Sequence, residues 1–454
     1  MKRFILLLVL AVYTVSGADA QDIASWTAHT SMKKAVDVAV SGTQSWVATD
    51  GGVFGYDSAT GDIRTFTAVD GLSNVATSCI AIDAARNAVW VGFSDGTLNQ
   101  INTETGIIRT IRDIKRDDQF SDRGINRIVV RGDSLFLATQ FGIVVFDPIR
   151  LEVRDSYSRL GSLSPATAVR DVHIESTIFG KLTLWAATET GMARGFVQGF
   201  NLQDPSSWEV EGNGLNGLAR SVYSVESIGQ TLYVGTDRDL FSRSAGGSYT
   251  PFNVTGQRVT HLSAQNDVLA GAAEFRILVV TQGAGWRSLG VDGVSFPSGV
   301  AFSSTGNLWI SSGDGGVAYG SIPPTGDTLT PIGNAVPSGP DEGVFTNLSV
   351  GADGDLWAGG ANANNRGFHH LTSDGIWETY SEKTNPLFVG KSRFLHVFGA
   401  SDGIGWAGSE GGGVARVDKD GNVEVFGQLN SSLLPATGTS DFIIVGGAHE
   451  DRFG

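Results

Sequence analysis

Basic side chains are concentrated in one short stretch of an otherwise acidic chain. Arginine guanidiniums present forked N–H donors that match the oxygens of carboxylate and phosphate groups. The stretch therefore predicts an anion site for the acidic groups of a glycan. The alternative interpretation is a solvated, charge-balanced face, because aspartates are interspersed with these cations. The predicted site consists of six of these residues: Arg109, Arg112, Lys115, Arg116, Arg123 and Arg127. Arg131 is the last basic residue of the stretch.

Patterns typical of catalysis or metal binding are missing from the sequence. The seven histidines form no His-x-x-x-His pair, and the neighbours His369 and His370 would point to opposite faces of a strand. Neither a Gly-x-Ser-x-Gly nucleophile motif nor a Gly-x-x-x-x-Gly-Lys phosphate loop occurs. The sole cysteine, Cys79, lies in an apolar strand and is predicted to be buried. We expect no catalytic residue, no metal site and no cofactor.

The N-terminus has the pattern of an export signal. Lys2 and Arg3 precede an apolar run, and Ala18-Asp-Ala20 supplies a small-x-small cleavage sequence, so residues 1–20 are predicted to be a signal peptide. The run is too short to span a bilayer, and no later run is longer, so no transmembrane segment is expected. The formal net charge of −15 argues against nucleic-acid binding.

A unit of roughly 45 residues recurs along the chain, marked by an aromatic residue, then a small residue, then a turn to glycine. Neighbouring markers are 44 to 49 residues apart, except for one gap of 76 residues that hides a degenerate copy near Leu269. Repeats of this length built from short strands predict a β-propeller. The markers are Trp46, Trp90, Phe136, Trp185, Tyr233, Trp309, Trp357 and Trp406.

The first repeat shows how one blade is expected to fold. Alternating segments predict four antiparallel strands between residues 35 and 66, with Asp50-Gly51 as a hairpin turn. The aromatic marker on the second strand is predicted to pack between neighbouring blades. Small residues after it, such as Ala48 and Gly92, allow the blades to approach closely. We therefore interpret the markers as structural anchors rather than as ligand platforms.

The number of repeats predicts more than one ring. Nine copies can be traced, and a tenth begins at Asp441 and stops at Gly454, so we expect the sequence to be the front part of a longer protein. A single ring usually closes with about four to eight blades. The predicted class is all-β, with two consecutive β-propellers of four-stranded antiparallel blades, the second incomplete in this chain. The weakest periodicity, near Gly246, predicts a boundary between a first propeller at 21–255 and a second at 256–454.

Segments between the blades carry a resemblance to known families. Asp70–Asn74, Asn213–Gly217 and Trp377–Leu387 resemble the two-component regulator propeller repeats of extracellular bacterial sensors. Over about residues 21–195 the chain is similar to the N-terminal propeller region of PorZ-like accessory proteins of the type IX secretion system. The segments that carry this similarity are Ser25–His29, Asp113–Arg116, Ile125–Ile128, Phe141–Asp147 and Glu152–Tyr157.

The second resemblance implies a non-catalytic protein, exported through the periplasm to the outer-membrane surface. Its implied partners are the type IX sortase with associated outer-membrane proteins, and anionic lipopolysaccharide, during cargo attachment. The first resemblance leaves an alternative, the extracellular polysaccharide-sensing propeller of a hybrid two-component system. A propeller enzyme such as a lyase or glycosidase is a third possibility, which requires acid and base side chains that converge on the central channel.

Overall fold

The computed structural model describes residues 26–176, 182–211, 221–244, 247–252, 256–352, 354–360, 367–391, 393–400, 403–410 and 412–427. These ranges form nine sheets of four antiparallel strands, one of which has a fifth, parallel strand, and this confirms the predicted all-β class. Short 3-10 helices occur at Ala84–Arg86, Pro205–Ser207 and Pro386–Phe388. The predicted signal peptide, the 213–217 segment and the tenth repeat lie outside the described residues.

Seven sheets, called blades here, follow one another from residue 35 to residue 335. The first three are β1 (Ala35–Ser41), β2 (Gln44–Thr49), β3 (Gly52–Asp57), β4 (Ile63–Phe66); β5 (Thr77–Asp83), β6 (Ala88–Phe93), β7 (Leu98–Asn102), β8 (Ile108–Ile111); and β9 (Ile125–Arg131), β10 (Ser134–Thr139), β11 (Gly142–Asp147), β12 (Glu152–Tyr157). The fourth and fifth are β13 (Val169–Ser176), β14 (Leu182–Thr188), β15 (Gly191–Phe196), β16 (Trp208–Val210); and β17 (Val222–Ile228), β18 (Thr231–Thr236), β19 (Leu240–Ser244), β20 (Thr250–Pro251). The sixth and seventh are β21 (Val259–Gln265), β22 (Val268–Ala273), β23 (Ile277–Thr281), β24 (Gly285–Val291); and β25 (Pro297–Phe302), β26 (Leu308–Ser312), β27 (Gly316–Gly320), β29 (Gly333–Ala335). The short strand β28 (Thr328–Leu329) pairs in parallel with β24 of the sixth blade.

Two further blades follow the seventh. They are β30 (Phe345–Val350), β31 (Leu356–Gly360), β32 (Phe368–Leu371), β33 (Trp377–Tyr380); and β34 (Phe394–Gly399), β35 (Gly405–Ser409), β36 (Gly413–Val417), β37 (Val423–Phe426). None of the helices in the described ranges combines the length and the apolar character that crossing a membrane requires.

The first seven blades close into a ring. The first strands of successive blades contact one another from β1 through β25, and β25 in turn contacts β1. The boundary predicted at residues 255/256 falls inside this ring, between the fifth and sixth blades, where β17 and β21 contact each other. The structure corrects that boundary: the first propeller ends after β29, and the remaining two blades begin a second unit.

The seam between the seventh and first blades is held by side-chain packing and two hydrogen bonds. Trp309 packs in one buried cluster with residues of the first blade, including Ala35. Ser298 Oγ donates to Ala35 O at 2.7 Å, and Gly316 N donates to Lys33 O at 2.7 Å. The ring is therefore closed by contacts between two complete blades.

The aromatic markers lie between blades. Each of the first seven is buried, while Trp406 in the ninth blade is partly exposed. Within each cluster the marker packs against an apolar residue on the first strand of the next blade, such as Trp46 against Ile80. In the sixth blade Ala270 stands opposite Ser263, as Trp46 stands opposite Ala39 in the first blade. Alanine at the marker position explains why this blade is the degenerate copy.

The threonine and glycine of the marker motif build the hairpin between the second and third strands. Thr49 Oγ1 donates to Gly52 O at 2.8 Å and accepts from Gly51 N. Gly52 has φ +138°, and a Cβ there would meet the carbonyl oxygen of Phe66. Glycine is therefore required at this position by both backbone conformation and close packing.

The eighth blade differs from the ring at one apolar position of its first strand. Seven ring residues at this position are at most 4% exposed: Val38, Ile80, Ile128, Val172, Val225, Leu262 and Val300. Their equivalent, Leu348, is 56% exposed. In the ring this position contacts the marker region of the preceding blade, so the eighth blade presents an uncovered apolar face on that side.

Candidate functional site

Each first strand of the ring carries a β-bulge at the same place. In β1, for example, Ala35 pairs with Thr49 and Asp37 pairs with Ala48, which leaves Val36 as the extra residue. A bulge re-aims side chains and is common next to functional sites. We call the seven extra residues the rim residues: Val36, Ser78, Asn126, Arg170, Tyr223, Thr260 and Ser298.

All seven rim residues line one cavity of about 110 Å³. Asp37, Arg127, Asp171 and His261, each one position after a rim residue, complete its lining. Because the rim residues come from all seven first strands, this cavity is the mouth of the central channel. The structure thus gathers charged and imidazole side chains from four blades at one place.

Arg127 lies at the centre of the charged groups in the channel. Its Nη1 is 3.2 Å from Asp37 Oδ1, and its Nε is 3.6 Å from Asp171 Oδ1. His261 Nε2 lies 3.2 Å from the same Asp37 oxygen. Both carboxylates are at most 8% exposed at their side chains, so a single guanidinium is the shared counter-ion of two buried carboxylates.

Burial and the neighbouring charges shift the pKa values of these groups in different directions. Burial alone would raise the pKa of Asp37, but Arg127 and His261 outweigh it and hold that pKa below its usual value. Burial raises the pKa of Asp171 despite the opposing attraction of Arg127. Burial, reinforced by Arg127, lowers the pKa of His261 and favours the neutral imidazole.

The two carboxylates also connect neighbouring blades. Asp37 Oδ2 accepts from Ile80 N of the second blade at 3.0 Å, and Asp171 Oδ2 accepts from Val225 N of the fifth blade at 3.0 Å. Acid and base groups thus converge on the channel, as a propeller enzyme requires. However, hydrogen bonds from backbone donors and the pairing with Arg127 occupy both carboxylates, which favours a structural role.

The structure divides the basic stretch predicted as an anion site. Arg127 lies in the channel and is neutralised by buried carboxylates, so it is not available to an external anion. Lys115 Nζ binds Asp95 Oδ2 at 2.7 Å, and Arg123 Nη1 donates to Lys115 O at 3.0 Å. Arg131 is the exposed last residue of β9.

Arg109, Arg112 and Arg116 remain together. They line an open hollow of about 440 Å³ with Asp113 and Leu151, at the outer edge between the second and third blades. All three arginines are exposed, and none has an ion-pair partner within the described part of the chain. This hollow is the part of the predicted site whose arginines have no ion-pair partner among the described residues.

Sequence reasoning missed the channel carboxylates Asp37 and Asp171 and the imidazole of His261. A signal was present, because each residue stands two positions after the first residue of a first strand. A charged or imidazole side chain that recurs there, inside an apolar strand, indicates the inward-facing position of the ring.

The thiol of Cys79 stands at the same strand position in the second blade. It is 1% exposed, and a Cβ on Gly92 would lie 2.6 Å from its Sγ. Burial, together with the Asp37 carboxylate, raises the pKa of Cys79 to about 12.

We expect the folded protein to resist labelling of Cys79 by a chromogenic disulfide reagent at pH 8, because the thiolate is the reactive form. The urea-unfolded protein should react with one equivalent, since the chain has one cysteine. Rapid stoichiometric labelling of the folded protein would contradict the burial.

Across the described ranges, no group of three or more histidine, cysteine, aspartate or glutamate side chains is placed to hold a metal ion. The two adjacent histidines have separate surroundings. His369 Nε2 is 3.6 Å from Glu342, while His370 stacks on Trp357 with 3.9 Å between ring centroids.

Residues 46–209 match the family model of the N-terminal β-propeller domain of PorZ from the type IX secretion system. The match runs from β2 to β16, through the first four blades of the ring. It confirms the resemblance inferred from the sequence. No curated protein matches the sequence significantly.

Two solved structures are similar in fold. PorZ, an essential surface component of the type IX secretion system of Porphyromonas gingivalis, has a TM-score of 0.71 and 18% identity, covering 92% of this chain and 55% of that one. The extracellular domain of a putative hybrid two-component system of B. thetaiotaomicron has a TM-score of 0.52 and 16% identity, covering 89% of this chain and 60% of that one. The chain therefore spans less than two thirds of either protein, and these identities show the fold alone.

Proposed function

We propose that this protein is a non-catalytic accessory component of a type IX secretion system at the outer-membrane surface. The family match over residues 46–209 carries this proposal. In it, the rigid ring presents surfaces to the sortase and associated outer-membrane proteins, and it binds anionic lipopolysaccharide during cargo attachment. An export signal at residues 1–20 delivers the chain to the periplasm and then to the surface.

The hollow at Arg109, Arg112 and Arg116 supports the glycan part of the proposal. Three exposed guanidiniums without ion-pair partners in the described ranges face one open space in a chain of net charge −15. Unpaired arginines bind phosphate and carboxylate oxygens through charge-assisted hydrogen bonds. The single acidic side chain of the lining, Asp113, leaves the hollow with an excess of positive charge.

Replacing Arg109, Arg112 and Arg116 together by glutamine should weaken binding to immobilised anionic lipopolysaccharide by at least about tenfold. Each charge-assisted hydrogen bond contributes about 1.5–3 kcal/mol, and tenfold in affinity corresponds to about 1.4 kcal/mol. Surface plasmon resonance at constant salt measures the change, because screening alters such contacts.

The matched control replaces three exposed arginines elsewhere, Arg150, Arg159 and Arg238, by glutamine, with the same change in net charge. Equal loss of binding in both triple variants would show that only overall charge matters. Unchanged binding in the first variant would remove the hollow from the proposal.

A second candidate function is the sensing of polysaccharide fragments, as the extracellular part of a hybrid two-component system. Its support is the fold similarity at a TM-score of 0.52. Affinity purification of the tagged full-length protein from its own outer membrane separates the two candidates. Recovery of the sortase or of anionic lipopolysaccharide supports the secretion role, and a kinase domain on the same full-length chain supports the sensor.

A further inference from the structure

Three of the six polar rim residues of the channel mouth, Ser78, Asn126 and Ser298, donate to the next blade. Ser78 Oγ donates to Ile125 O at 2.5 Å, and Asn126 Nδ2 donates to Val169 O at 2.7 Å. These donors are used within the ring and hold successive blades in register. They are therefore not free to bind a ligand in the cavity.

One buried donor at the same cavity lacks a hydrogen-bond acceptor. In the described chain, Arg170 Nη1 is a buried polar atom without a hydrogen-bond partner, and Arg170 lines the cavity. His261 also lines the cavity, but Val300 N donates to its Nδ1, so its proton lies on Nε2, 3.2 Å from Asp37 Oδ1. A buried donor without an acceptor costs free energy, and an acceptor bound in the cavity removes that cost.

A second arginine lies close to this donor. The guanidinium carbons of Arg170 and Arg258 lie 4.0 Å and 5.1 Å from the centre of the Tyr223 ring. Neither arginine has an ion-pair partner within the described part of the chain. Asp37 and Asp171 line the same cavity, where their ion-pair partner is Arg127 rather than Arg170.

We propose that the channel mouth is a binding site for one carboxylate or phosphate group, held by Arg170 and assisted by Arg258, which contacts the same Tyr223 ring. A cavity of about 110 Å³ accommodates a single acid group of a small molecule or a chain end, rather than an oligosaccharide. Tyr223 holds the two guanidiniums near each other by cation–π contact. The site is separate from the hollow at Arg109 and does not depend on the proposed secretion role.

Titration calorimetry of the folded chain at low salt tests the site, with inorganic phosphate and D-glucuronate as separate probes. We expect saturable binding of at least one probe with one site per chain. Arg170→Gln should weaken it by at least about tenfold, since a charge-assisted hydrogen bond is lost. Binding of phosphate alone would identify a phosphorylated ligand, and binding of glucuronate alone an acidic sugar or other carboxylate.

Arg150→Gln is the control, because Arg150 is exposed and paired only with Glu152 among the described residues. If Arg170→Gln fails to fold, Arg258→Gln takes its place as the test variant. We expect Arg258→Gln to weaken binding several-fold. The absence of saturable binding for both probes, or equal binding in Arg170→Gln and Arg150→Gln, would overturn the proposal. Loss of lipopolysaccharide binding in the Arg109, Arg112 and Arg116 variant with intact probe binding would leave it standing.

Discussion

Replacing Arg127 by methionine is expected to lower the free energy of unfolding by about 3–5 kcal/mol. The substitution keeps much of the side-chain volume but leaves Asp37 and Asp171 buried without a counter-ion. An uncompensated buried charge is strongly destabilising because the carboxylate loses its hydration without gaining a partner. Urea denaturation followed by tryptophan fluorescence measures the loss.

The sign of the pH dependence provides an independent check on the Arg127 variant. Without the guanidinium, the pKa values of both carboxyls in the folded protein rise above their unfolded values, so the folded state binds protons more tightly. The destabilisation should therefore shrink as the pH falls from 7 towards 5. Adding Asp37→Asn and Asp171→Asn should recover part of the stability at pH 7, and no recovery would contradict the electrostatic explanation.

Replacing Trp309 by alanine should lower the free energy of unfolding by about 3–5 kcal/mol, the usual range for a buried tryptophan. Trp309 is 2% exposed, stacks on Tyr319 with 4.3 Å between ring centroids, and contacts Tyr56 of the first blade edge to face. The cavity would open at the seam of the ring, where the blades meet only through packing and a few hydrogen bonds. Limited proteolysis should then cut near the seam before the rest of the ring.

Trp309→Phe is the matched control. It keeps an aromatic ring at the seam and removes an indole N–H that is buried without a hydrogen-bond partner in the described structure. We expect its loss of stability to be well below that of Trp309→Ala. Equal losses in the two variants would mean that the stacking geometry, rather than the filled volume, controls closure.

The repeat architecture followed from the sequence because packing between blades requires one aromatic and one small residue per unit. The boundary did not, because the sixth blade replaces the aromatic by Ala270, followed by Gly271. Reduced side-chain volume at one interface weakens the sequence pattern without interrupting the ring. The decisive contact, between β25 and β1, joins segments far apart in the chain, and local periodicity carries no information about it.

The candidate site was predictable only in part for a similar reason. Clustering of cations in sequence identified Arg109, Arg112 and Arg116, which remain neighbours at the edge of a blade. It could not separate them from Arg127, because alternation along β9 and the bulge turn that side chain towards the channel. The channel mouth takes one rim residue from each of the seven blades. Its residues can be identified only when the β-bulges of the seven first strands are aligned with one another.

The seam has a mechanical consequence. In many closed rings a strand from one end of the chain completes the blade at the other end, but here the first and seventh blades are each built from strands of their own segment of the chain. Tension applied between residue 34 and residue 336 would therefore pull directly across the seam, against side-chain contacts and the Gly316–Lys33 and Ser298–Ala35 hydrogen bonds. Under load we expect the contacts between the first and seventh blades to break first, so that the ring opens while each blade stays folded.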